Sequence, residues 1–187
     1  KSIRFNEGSS GGKLTFTPSV AATDGRILTY SFWFKGKQDS AGLNANKDFE
    51  FLTANVSDWD SIGLGRHNGK LNWYFQGGNY GKLETTAVYQ DPSAWYHVVC
   101  RWNTTLATAG DRMKMYVNGE EVTSFSTDTN PSQNYVALNW NAINVPQKIA
   151  NSQDGSYPAS CYMAEAYMLD GRDVGPEYFG ETNALTN

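Results

Sequence analysis

The chain has 187 residues, with 15 Lys and Arg scattered against 19 Asp and Glu and a formal net charge of -4. That balance lacks the basic footprint of a nucleic-acid binder, and no apolar run approaches the ~20 residues a membrane-inserted helix requires. Aromatic residues make up 14% of the chain and 18 glycines punctuate it; one all-β domain of this length is expected, since large sandwiches reach this size undivided.

The elements follow one another as short extended runs. Ser2 to Phe5 opens the chain as a strand, a glycine-rich turn follows, and Lys13 to Thr17 is a second strand stopped by Pro18. In Arg26 to Lys35, Leu28, Tyr30, Phe32 and Phe34 share one face while Ile27, Thr29, Ser31 and Trp33 form the other. Both faces can be covered, so this strand is central. Phe49 to Ala54 is a strand with the acidic loop Asn55 to Asp60 behind it, and Ser61 to Arg66 and Lys70 to Gln76 form a hairpin across His67-Asn68-Gly69. A glycine-rich loop precedes Leu83 to Tyr89, and Asp91-Pro92-Ser93 turns the chain into its most regular stretch.

In that stretch Tyr96, Val98, Cys100 and Trp102 alternate with Trp95, His97, Val99 and Arg101, the period of a half-buried strand. Met113, Met115 and Val117 share a face of the next strand. Asn118-Gly119 then tolerates the positive φ of a two-residue hairpin turn, and Glu120 to Phe125 is read as the returning partner. Ser126 to Asn144 reads as irregular. Gln147 to Ala150 is a short strand, Tyr162 to Leu169 the last strong one, ended by Asp170-Gly171, and Pro176 to Phe179 one helical turn. Roughly twelve strands with turn signals every 8–12 residues predict an antiparallel β-sandwich. Cys100 lies on an apolar face and Cys161 opens the last strand; buried free thiols behaving as small hydrophobes are the preferred reading, although spacing leaves a disulfide open.

The runs W-Y-H-V-V (95–99), Y-V-N-G (116–119) and A-E-A-Y-M-L (164–169) resemble the laminin G-like and pentraxin-like members of the concanavalin A-like lectin/glucanase superfamily. The resemblance spans Ser2 to Phe179 and implies a jelly roll of two large antiparallel sheets. D-P-S-A-W-Y-H-V-V (91–99), Y-V-N-G-E-E-V-T-S-F-S-T (116–127) and M-L-D-G-R-D-V-G-P-E-Y-F-G-E (168–181) are similar in wording to laminin G-like domains of tailed-phage structural proteins. This implies a module excised from a fibre, spike or capsid-surface protein, located in the virion or outside the cell, with other virion subunits as partners. The start at Lys1, without a signal peptide, accords with an excised piece.

Glycosidases occur in the superfamily and need two carboxyl groups, ~5–5.5 Å apart for retention or ~6.5–9.5 Å for inversion. No run of acids at period two is present. Glu165 has its next acid at Asp170, an odd spacing that sends the two to opposite faces of a regular strand. His97, on the mixed face of its strand, reads as a hydrogen-bonded structural group, and His67 sits beside a turn. The domain is therefore expected not to be an enzyme.

A calcium ion takes roughly 6–8 oxygens from carboxylates, amides, backbone carbonyls and water, and two loops are equipped for that, V-S-D-W-D-S (56–61) and N-S-Q-D-G-S (151–156). The pentraxin resemblance implies that Asp60 supplies one part and Gln153 and Asp154 another, with Asp58 as an addition. Ser152 stands where pentraxins carry Glu and Ser61 where they carry an amide residue, so one weak site or none is implied; both loops are also ordinary polar turns, with Asp154-Gly155 as turn chemistry. A glycan site needs an aromatic face beside amides or acids. The loop candidates are Trp59, Tyr80 (next to Asn79), Tyr135, Trp140 (between Asn139 and Asn141) and Tyr157, each of which could instead cover the sandwich edge. Trp59 leads, because it shares its loop with Asp58 and Asp60. The expected function is a non-catalytic module that binds a host-surface glycan, calcium-assisted, with a structural or decoration module making only protein contacts as the alternative.

Overall fold

A computed structural model describes residues 1–6, 12–36, 49–54, 62–75, 81–137, 139–152 and 158–180. Thirteen strands are found among them: β1 (Ile3–Phe5), β2 (Leu14–Phe16), β3 (Ile27–Gly36), β4 (Phe49–Ala54), β5 (Ile62–His67), β6 (Lys70–Phe75), β7 (Gly81–Val88), β8 (Tyr96–Asn103), β9 (Met113–Val117), β10 (Glu120–Glu121), β11 (Phe125–Thr129), β12 (Gln147–Ile149) and β13 (Cys161–Asp170). They form two antiparallel sheets. Sheet A runs β1-β13-β3-β8-β9-β10, and sheet B runs β11-β7-β6-β5-β4-β12-β2. Single turns of 3₁₀ helix span Ala109–Asp111 and Pro176–Tyr178, the second where a helical turn was expected.

The alternation in β3 and β8 has the predicted consequence. Leu28, Tyr30, Phe32 and Phe34 are at most 2% exposed and join Val98, Cys100 and Trp102 in one core with Phe51, Leu71, Trp73 and Phe75 of sheet B. Aromatic rings link the two sheets. Phe51 of β4 lies 4.8 Å from Phe32 and 4.6 Å from Phe34 between ring centroids, and Phe75 of β6 stacks on Trp102 of β8 at 3.8 Å. Both predicted glycine turns adopt left-handed conformations, at Asn68-Gly69 (φ 50° and 81°) and Asn118-Gly119 (φ 52° and 86°).

Two expectations need correction. The return after Asn118-Gly119 pairs with β9 only through Glu120 and Glu121. Val122 N–H still donates to Met115 O, but Ser124 O already accepts from Thr86 N–H of β7, so the chain changes sheets within two residues. Phe125–Thr129, mostly read as irregular, is the edge strand of sheet B. The second correction concerns β13, whose register slips by one residue between Ala164 and Tyr167, with Glu165 at φ 50°. That bulge breaks the regular alternation from which Glu165 and Asp170 were assigned to opposite faces.

No disulfide joins Cys100 and Cys161, and each is 0% exposed. Burial pushes the Cys100 thiol well above its ordinary pKa, which starves it of the thiolate that reacts. Neither thiol should react with Ellman's reagent in the native state at pH 8, and both should react once urea unfolds the chain. Labelling of Cys100 in native protein would show that its strand opens locally.

Candidate functional site

Calcium ligands were expected in the loops 56–61 and 151–156, and glycan ligands on loop aromatics. Asp58, Trp59, Asp60, Tyr80, Gln153, Asp154 and Tyr157 lie outside the described residues. The roots of two of their loops are described. Ala150, at φ 69°, turns the chain after β12, its N–H bonding to Phe51 O. Thr53, one residue before the end of β4, then donates its hydroxyl to Asn151 O at 2.9 Å. The segments 55–61 and 153–157 therefore depart from points joined by a hydrogen bond.

Asn151 is fully buried, and neither atom of its side-chain amide has a partner among the described residues. A buried amide without a partner costs on the order of 1–3 kcal/mol, so its oxygen is available to a cation, and neutral carbonyl oxygens are donors that calcium accepts. Among the described residues no three His, Cys, Asp or Glu are placed so as to hold a metal ion. Carboxylates for such a site would have to come from Asp58, Asp60 and Asp154.

The other two aromatic candidates separate. Trp140 is 2% exposed, its ring 6.1 Å from Tyr30 and 6.5 Å from Phe75, so it is a core residue that presents no face to a ligand. Asn141 beside it takes φ 48°, and the turn directs the indole inward. Tyr135 is partly buried with its ring edge-on to Trp102 at 6.0 Å, and its carbonyl accepts from Thr104 Oγ1. It backs the core more than it faces outward.

The outer face of sheet A carries further groups that no motif in the sequence marks. Register places Ala164, Trp33 and His97 side by side across β13, β3 and β8, with Tyr167, Ser31 and Val99 in the next row and Leu169, Thr29 and Arg101 beyond. The segment 171–180 crosses this face. Thr29 Oγ1 donates to Arg172 O at 2.8 Å and accepts from Val174 N–H at 3.1 Å. Asp173 takes Arg101 Nε at 2.6 Å and Asn103 Nδ2 at 2.9 Å. The Asp173 hydrogen bond is the main reason the Arg101 guanidinium is held above its usual pKa. Phe179 ends the crossing against His97 and Tyr167, at centroid distances of 6.2 and 6.1 Å. His97 is the structural group expected, its Nε2 hydrogen-bonded to Ser31 Oγ at 2.8 Å. Burial holds its pKa below the usual value, against an opposing pull from Glu165.

A laminin G family model, described as the concanavalin A-like lectin/glucanases superfamily, matches residues 7–170. The chain is a laminin G-like domain of that superfamily. Solved structures similar to this laminin G-like domain include a native heptameric SAP-like pentraxin from Limulus polyphemus, at 17% identity and TM-score 0.61, covering 89% of this chain and 74% of that one. The binding domain of botulinum neurotoxin DC in complex with SialylT matches at 13% identity and TM-score 0.64, over 94% of this chain and 40% of the other. Domains LG4-5 of the mouse laminin alpha1 chain match at 12% identity and TM-score 0.56, over 91% and 44%. At these identities the likeness is one of fold, and the domain spans well under half the length of the neurotoxin and laminin chains. No curated protein matches the chain in sequence.

Proposed function

We propose that this laminin G-like domain is a non-catalytic glycan-binding module of a phage virion protein, such as a fibre, spike or capsid-surface component, with a loop edge ordered by calcium. The observation that carries the reading is the Thr53–Asn151 hydrogen bond, which ties the end of β4, before loop 56–61, to Asn151, whose side-chain amide has no partner among the described residues. Asp58, Asp60, Gln153 and Asp154 would hold the ion with Asn151, and bound calcium would supply fixed positive charge to order the loops and attract sugar hydroxyls. Trp59, Tyr80 and Tyr157 would offer faces to the sugar, with Tyr135 behind them. The lectin fold supports this, as does a neurotoxin binding domain of the same fold whose complex contains SialylT. The phage setting rests on the wording of 91–99, 116–127 and 168–181.

A protein ligand within the virion is the second reading. It is favoured by edge strand β2 and the segment after it, where Leu14, Phe16 and Val20 are 47%, 55% and 74% exposed.

Thermal unfolding tests the calcium reading. In EGTA the midpoint should be lowest, and calcium in large excess over Kd should raise it by up to roughly 5–10 °C. Asp154→Ala should abolish the rise. No shift in wild type at millimolar calcium would remove calcium from the proposal. An equal rise in Asp154→Ala would move the ion away from the 151–156 loop.

A further inference from the structure

A groove of about 400 Å³ opens on the outer face of sheet A, walled by Trp33, Trp95, Ala164, Glu165 and Phe179, with Lys1 and Ser2 at its rim. We propose that it is a saccharide-binding site that needs no metal, in which a sugar ring stacks on the indoles and gives hydroxyl hydrogen bonds to the Glu165 carboxylate. It lies on the other sheet from the paired loop roots, so it stands whether or not calcium binds there.

Three observations carry this. The first is a rigid aromatic platform. Trp33 is only partly buried, and one of its faces is stacked on His97 at 4.8 Å with 15° between the planes. His97 is held in turn by Ser31 Oγ at 2.8 Å, and its backbone N–H by Asn118 Oδ1 at 2.9 Å. Trp95, 37% exposed, adds a second indole, and Phe179, edge-on to His97, closes the wall. An aromatic face carries negative charge density, which the polarised C–H bonds on one side of a pyranose match. A platform that is already ordered loses little entropy on binding.

The second is the placement of Glu165. It is a non-glycine residue at φ 50° inside a β-bulge, a conformation that costs on the order of 1–3 kcal/mol and is found where a side chain is re-aimed for use. It is exposed, lines the groove, and has neither an ion pair nor a hydrogen bond among the described residues. A carboxylate beside two indoles offers an acceptor for vicinal hydroxyls next to an apolar floor, the mixture that a sugar presents in reverse.

The third is size. At about 400 Å³ the groove is at the low end of the ~300–1,000 Å³ range of small-molecule sites. Among the described residues Glu165 is the only carboxylate that lines it, and hydrolysis of a glycosidic bond takes two, so the proposed role is binding.

The test is binding to an array of neutral and acidic oligosaccharides, in EGTA, followed by calorimetry with the best oligosaccharide from the array. Wild type should bind in EGTA. Trp95→Ala, at a partly exposed position, should weaken that binding roughly tenfold or more. Glu165→Gln, which keeps an acceptor but loses the charge, should weaken it less, and both variants should keep the wild-type unfolding midpoint. Absence of any oligosaccharide binding by wild type in EGTA would overturn the proposal, as would binding that both variants retain in full. Dimerisation of wild type that Trp95→Ala abolishes, with no sugar bound, would assign the groove to a second copy of the chain instead. Failure of the calcium test leaves all these outcomes unchanged, so the two sites fail separately.

Discussion

Trp102→Ala is expected to lower the unfolding free energy by about 3–5 kcal/mol, the cost typical of removing a buried Trp. Trp102 is fully buried on β8 of sheet A, but most of its ring contacts are with the opposite sheet. It stacks on Phe75 at 3.8 Å, meets Trp73 edge-on at 6.4 Å and supports Tyr135 at 6.0 Å. The substitution removes the ring that ties β8 to β6 and leaves a void that the neighbouring strands are too constrained to close. A domain stability of ~5–15 kcal/mol makes this loss a large fraction of the total. Urea denaturation followed by far-ultraviolet circular dichroism measures it. A loss below about 1 kcal/mol would mean that the sheets hold together without this stack.

Asp173→Ala is expected to cost about 2–3 kcal/mol, because it removes the acceptor of two hydrogen bonds, one of them charge-assisted. Arg101 and Asp173 are 27% and 18% exposed at their side chains, so water recovers part of the loss. Arg101 would keep its contact with the Tyr116 hydroxyl at 3.0 Å, but Asn103 Nδ2 would be left without its acceptor. The distinguishing effect is local. With Asp173 gone, segment 171–180 keeps its hydrogen bonds to Thr29 but loses its charged anchor, and Phe179 is no longer pressed on His97. Limited proteolysis should then cut between Arg172 and Gly180 while the sheets stay intact, and saccharide binding in EGTA should fall with the groove wall. Asp173→Asn, which retains acceptor capacity, should lie between the two. Wild-type protease resistance in Asp173→Ala would show that the bonds to Thr29 and Ile27 and the Phe179 contacts secure the segment without the charged anchor.

Most of the architecture was legible because period-two alternation is a direct image of burial, and β3 and β8 carry it over whole strands. Where reading failed, the governing residue carried no local signal. Nothing in Glu165 announces a left-handed bulge, since glycine or asparagine is the usual occupant. The crossing from β10 to β11 happens at Val122–Ser124, with neither Gly nor Pro to mark it. Trp140 read as a surface aromatic because asparagines flank it, yet one of them, Asn141 at φ 48°, allows the turn that buries it. The groove was illegible for a different reason. Trp33, Trp95, Glu165 and Phe179 come from four separate stretches, and only the register of β13 against β3 and the path of 171–180 bring them together.

The strand order of sheet A also governs how the chain can assemble. β13, near the end of the described chain, lies between β1 and β3, near its beginning. Until Cys161–Asp170 has left the ribosome, β1 has no neighbour and one edge of β3 is open, so sheet A cannot close before β13 emerges. Pairings this distant in sequence make folding slow. They also leave the Ile27–Gly36 strand, the most aromatic of the described strands, exposed as an unpaired edge that invites intermolecular pairing. A nascent chain of this topology is at its most aggregation-prone just before β13 emerges.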